Sequence, residues 1–193
     1  MSSFIGHALA AYTIGKSIET KPRSYLFWQI WLLLAAIAPD IDYILPQLNA
    51  RNYNGLRFTH SIGFSLIAPV LGIIYLFLFE RKNIFRGGFQ VCLAGLSHLI
   101  LDTLVGSWQR DPLLYPFTQN TFKLPFGILP SAAKISLSNF YLYRNLLIEC
   151  GILIPVCCFV LYFAGKLNLK KPALIGLISV VIFFLIWSLN LDR

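Results

Sequence analysis

The sequence predicts an all-α, polytopic transmembrane bundle of five to six helices with a Pro-rich capping segment. Hydrophobic residues make up 57% of the 193-residue chain and charged residues only 12%. The apolar residues are gathered into membrane-length runs rather than spread at the periodicity of a soluble helix. The one long connection between runs, Gly106 to Phe140, carries Pro112, Pro116, Pro125 and Pro130, which forbid a continuous helix there.

Five runs are each about the length that crosses a ~30 Å hydrocarbon core at about 1.5 Å per residue. They are Leu26 to Leu45, Ser61 to Phe79, Phe89 to Val105, Leu146 to Ala164 and Ala173 to Leu191. A sixth, Phe4 to Ile18, is shorter and reads as a short span or an interfacial helix. It does not resemble a cleaved signal, because no Lys or Arg precedes Lys16. Length and composition together make residues 1–193 a single integral membrane domain.

The connections carry the orientation. Lys16, Lys21, Arg23, Arg81, Lys82, Arg86, Lys166, Lys170 and Lys171 crowd into three short loops. The alternate loops hold Arg51, Arg57, Arg110, Lys123, Lys134 and Arg144 more thinly, with Arg193 at the end. The positive-inside rule puts the dense set in the cytoplasm and the 106–140 segment outside. That segment is too apolar for a solvated loop, with Leu113, Leu114, Tyr115, Phe117, Phe122, Leu124, Phe126 and Leu129, so it reads as a cap or re-entrant element. The formal charge of +8 is scattered without a dense basic stripe, which points to anionic lipid headgroups and not to nucleic acid. Trp28, Trp31, Trp108 and Trp187 fit interfacial anchors, and Cys92, Cys150, Cys157 and Cys158 fit apolar packing positions within spans. The oligomeric state is not legible.

Against this background the ionisable residues stand out. The three histidines are His7 in the first apolar segment, His60 opening a span and His98 within one. A charged group at mid-membrane costs roughly 2.5–3.5 kcal/mol on insertion scales, so such residues need partners or a function. His98 and Asp102 stand at i, i+4 spacing on one helix face, about 6 Å apart at Cβ, and both can reach one metal ion. The plainer alternative is a hydrogen bond between helices. Asp40 and Asp42 flank Ile41 after Pro39; in a regular helix they diverge, whereas in an extended turn they share a face. Oxygen ligands beside imidazole nitrogens suit zinc or manganese. His60 lies between Thr59 and Ser61, which are also ordinary helix-capping residues, and Arg57 can reach a lipid or substrate phosphate. Glu149 adds a carboxylate at the same face, where it could pair helices. In the derived orientation all of these groups fall on the outer side, under the cap.

On these residues the chain resembles the YdjM/YbcI-like family of predicted inner-membrane, metal-dependent hydrolases. The resemblance runs through His7, Pro39 to Asp42, Arg57 to Ser61, Ser97 to Asp102 and the aromatic stretch Leu113 to Phe117. It implies a helical membrane fold, a bacterial inner-membrane location, a metal site and hydrolase activity. The order Asp, His, His-x-x-x-Asp is also similar to part of the zinc-dependent phospholipase C pattern, which brings phosphoesters and lipids into view as substrates. No histidine follows His98, so the ligand count allows one metal or two but not a three-zinc cluster.

The leading expectation is a membrane-embedded metal-dependent hydrolase. His60, His98, Asp102 and one or both of Asp40 and Asp42 bind a divalent metal, zinc before manganese. The unused carboxylate of the Asp pair is the general base, His7 a further ligand or proton shuttle, and Arg57 a substrate-binding group. One alternative is an ion or proton transporter, which needs ligands near the bilayer midplane. Another is a non-catalytic protein whose metal site is structural, closed by four protein ligands.

Overall fold

The computed structural model describes residues 2–20, 24–48, 55–105, 111–122, 124–131, 136 and 138–191, without the side chains of Pro46 and Lys82. Lys21, Arg23, Arg51, Trp108, Arg110, Lys123, Lys134 and Arg193 lie outside the described residues. Among the described residues the architecture is all-α, a bundle with five helical segments long and apolar enough to cross a membrane.

Helix α1 (Phe4–Ser17) starts where the Ser3 hydroxyl accepts the Gly6 N–H. At about 1.5 Å per residue it is shorter than the hydrocarbon core is thick. It does not lie on the outside of the bundle: it packs against α2 (Tyr25–Ile37), α5 (Ile84–Leu104) and α6 (Phe140–Phe163). Gln90 of α5 ties down its far end. The Gln90 Nε2 donates to the carbonyls of Ile14, Gly15 and Ile18 at 3.1–3.3 Å. Its Oε1 accepts from Trp28 Nε1 at 2.6 Å. Trp28, expected at the membrane interface, is therefore a core residue. It packs with Leu32, Ala35, Leu76, Val91 and Ala94, because the buried amide supplies the partner its indole N–H requires.

The run expected as one helix from Leu26 to Leu45 changes character at its end. After Ile37 the chain tightens into a 3-10 turn over Ala38–Tyr43, with Pro39 at its start. Proline carries no N–H to continue the α-helical ladder, and its ring crowds the preceding turn. The next run is likewise divided, into the single turn α3 (Ile62–Ser65) and α4 (Ile67–Phe79). Pro69 cannot donate to the carbonyl of Ser65, and Gly95 of α5 comes close to that oxygen. A Cβ at Gly95 would lie 2.6 Å from it, so only glycine permits this approach of α5.

Helices α5 and α6 each begin earlier than their apolar runs suggest, at Ile84 and Phe140. Helix α7 (Lys171–Leu189) packs mainly on α6 and turns Ile175, Ile178, Ile182, Phe183 and Ile186 outward, as a lipid-facing helix should. The cysteines form no disulfide.

The Pro-rich segment lies on one end of the bundle. Ile62 N–H donates to the Leu113 carbonyl at 2.9 Å, and the Ile128 and Leu129 N–H groups donate to the Leu104 carbonyl at 2.7 and 2.9 Å. The Ser188 hydroxyl donates to the Ile128 carbonyl, and Leu129 is buried among Leu101, Val105, Ile148, Ile152 and Leu153. This end gathers the start of α1, the end of α2, the start of α3, the end of α5 and the start of α6. The opposite end carries the basic connections, where Lys166 and Glu19 approach to 3.8 Å.

Candidate metal centre

Five side chains from these converging ends meet in one place. His7 comes from the second turn of α1, Asp40 from the 3-10 turn after α2, and His60 from the turn Phe58–His60 ahead of α3. His98 and Asp102 come from the last turns of α5. None is more than 5% exposed.

Asp40, His60, His98 and Asp102 present one donor atom each, all within 4.8 Å of one another. The Nε2 atoms of His60 and His98 are 3.2 Å apart. His60 Nε2 lies 3.4 Å from Asp40 Oδ1 and 3.3 Å from Asp102 Oδ2, and His98 Nε2 lies 3.8 and 3.5 Å from the same oxygens. A tetrahedron with bonds of about 2.0–2.1 Å has edges of roughly 3.3–3.4 Å, and the five separations that involve a histidine, 3.2–3.8 Å, lie close to those around a single zinc-sized ion.

The surroundings support that donor set. His98 Nδ1 donates to the Ala36 carbonyl at 2.8 Å, which fixes the tautomer and turns the Nε2 lone pair to the centre. His60 Nδ1 is 3.1 Å from the Thr59 hydroxyl, which can accept its N–H and so allows the same tautomer. Asp102 Oδ2, which faces both histidines, is buried without a hydrogen-bond partner among the described residues. A buried carboxylate oxygen carries a high cost when nothing offsets its charge, and a cation beside it removes that cost.

His7 sits against the other side of the same carboxylates. Its Nε2 is 3.6 Å from Asp102 Oδ1, 4.0 Å from Asp40 Oδ2 and 2.9 Å from the Ser2 hydroxyl, and its ring stacks on that of His98.

Asp42 is separated from Asp40. Of the two geometries open to the aspartates, diverging in a regular helix or sharing a face in an extended turn, the chain takes the diverging one, as a 3-10 helix. At about three residues per turn, positions i and i+2 point to different sides. Asp42 instead receives Arg57 in a two-pronged pair, Nε to Oδ2 at 2.7 Å and Nη2 to Oδ1 at 2.8 Å. Arg57 Nη2 also reaches Asp40 Oδ1 at 3.3 Å and the guanidinium lies over the Tyr43 ring, while Nη1 has no hydrogen-bond partner among the described residues. Burial opposes the charge on Arg57, but the Asp42 carboxylate outweighs it and raises the pKa above the ordinary value. While it is paired in this way, Asp42 is not a free base.

Three residues of this region carried little or no signal in the sequence. Ser2 donates its backbone N–H to Asp102 Oδ1 at 2.7 Å, and Ser3 donates to both oxygens of Glu149 at 2.9 and 3.1 Å. Asp111, in the cap, is buried with Oδ1 unpartnered, and burial pushes its pKa up. Backbone contacts made before the first helix have no side-chain pattern, and Asp111 sits in a loop where an aspartate is ordinary.

The sequence model of the YdjM inner membrane proteins matches residues 1–188. The chain belongs to this family. Inner membrane protein YbcI of Escherichia coli (strain K12) is 28% identical over 145 residues, covering 72% of this chain and 82% of that protein. No solved structure matches the chain significantly. With five membrane-length helices and relatives of this name, this YdjM-family member is an inner-membrane protein in a lipid environment.

Proposed function

We propose that this YdjM-family protein is a membrane-embedded, metal-dependent hydrolase acting on a phosphoester or lipid-like substrate at the extracytoplasmic face. The observation that carries the reading is the donor set of Asp40, His60, His98 and Asp102 at tetrahedral edge spacing. Its mixed nitrogen and oxygen chemistry suits zinc, with manganese the second choice. A divalent ion there would supply Lewis acidity, polarising the scissile bond and acidifying water.

The chain's own groups fit an anionic substrate. Asp42 holds the Arg57 guanidinium in place, and the unpartnered Nη1 is a donor left over for a phosphate oxygen. His7, beside both carboxylates, is a proton carrier or a further ligand. The extracytoplasmic side follows from the basic connections at the opposite end of the bundle.

A closed, structural metal site is the second reading, favoured by the fact that four protein donors alone complete a tetrahedron. The deciding experiment measures metal content and hydrolysis of phosphoesters and lipids by detergent-purified protein, wild type against a folded His98→Ala/Asp102→Ala variant. Stoichiometric metal and a hydrolytic activity, both lost in the variant, are expected. Metal without hydrolysis of any ester supports the structural reading, and full activity in the variant overturns the hydrolase.

A further inference from the structure

The carboxylates of Asp40 and Asp102 each have two faces, and the four-donor centre uses only one. Asp40 Oδ1 and Asp102 Oδ2 face His60 and His98, whereas Asp40 Oδ2 and Asp102 Oδ1 face His7. We propose that a second divalent cation binds between His7 Nε2, Asp40 Oδ2 and Asp102 Oδ1, with the Ser2 hydroxyl beside it, so that both aspartates bridge a dinuclear centre. This rests on the metal reading above and deepens it.

Three observations carry the proposal. First, Asp40 Oδ2 is buried, has no hydrogen-bond partner and lies 4.0 Å from His7 Nε2. An ion between them satisfies an oxygen that the first position leaves orphaned.

Second, the imidazoles of His7 and His98 stack with centroids 3.9 Å apart and planes at 11°. Both present Nε2 to the same two carboxylates, so ions on the two rings are displaced by about the ring separation. Ions in two-metal hydrolytic centres are about 3.5–4 Å apart.

Third, negative charge is in excess. Asp42 and Arg57 neutralise each other, which leaves Asp40, Asp102, Asp111 and Glu149 as buried carboxylates facing one further positive charge, the N-terminus. One divalent ion leaves part of that negative charge unmet, and burying unpaired charge is costly.

The bridging geometry also gives the Ser2 contacts a purpose. The Ser2 N–H holds Asp102 Oδ1, and the Ser2 hydroxyl, 2.9 Å from His7 Nε2, stands where it can itself join the second ion.

The test is a Mn²⁺ titration of metal-stripped, full-length protein in detergent, read by elemental analysis and electron paramagnetic resonance. Wild type is expected to saturate at two ions per chain with an exchange-coupled spectrum. A folded His7→Gln variant is expected to keep one ion with the six-line spectrum of isolated Mn²⁺. Wild type saturating at one uncoupled ion overturns the second position and leaves the four-donor centre standing, whether or not the variant folds. Two coupled ions in His7→Gln also overturn it, and no bound ion in wild type overturns both readings.

Discussion

Asp42→Asn removes the charge of one partner in the buried Arg57–Asp42 pair while keeping its shape. Both residues are less than 10% exposed and share two hydrogen bonds of 2.7 and 2.8 Å. At an effective dielectric of 20, opposite charges about 4 Å apart attract by about 4 kcal/mol, and breaking one side of a buried pair costs about 3–5 kcal/mol. Arg57 keeps its 3.3 Å contact with Asp40, so the lower end applies, about 3 kcal/mol. Unfolding in mixed micelles, followed by helicity, reads the loss. Removing both charges in Asp42→Leu/Arg57→Met is expected to recover most of it, because neither member of the pair is left uncompensated and Asp40 loses only its 3.3 Å contact with Arg57. A loss below about 1 kcal/mol in the single variant, or a double variant as unstable as the summed singles, refutes the argument.

Two further outcomes follow from the same geometry. Gln90→Leu leaves the Trp28 N–H and the last carbonyls of α1 without their partner, and unfolding should become easier by about 1–3 kcal/mol; unchanged stability would separate α1 from this network. Asp111→Asn should stabilise the metal-free protein at neutral pH. A carboxyl whose folded pKa is raised penalises folding above that pKa and costs nothing below the ordinary carboxylate range. The gain should therefore shrink as the pH of the melting experiment falls, and a gain independent of pH would point to packing instead.

The bundle was legible because hydrocarbon imposes a length and an apolar composition on anything that crosses it. Leu26 to Ile37, Ser61 to Phe79 and the runs of α5, α6 and α7 carry that signature locally, residue by residue. The convergence of His7, Asp40, His60, His98 and Asp102 was legible too, because antiparallel helices joined by short loops leave alternate ends on the same side. The pairing of His98 with Asp102 follows from helical spacing alone.

Tertiary structure decided what spacing could not. Pro39 turns the end of α2 into a 3-10 helix, which sends Asp40 to the histidines and Asp42 to Arg57, though two residues separate them in sequence. Trp28 enters the core because Gln90, distant in the chain, satisfies its indole N–H. The start of the chain closes the centre through the Ser2 N–H, a backbone donor that every residue but proline possesses. Composition and periodicity record how each segment meets its solvent. Which donors face one another depends on how segments distant in sequence dock, and that was written only in the packing.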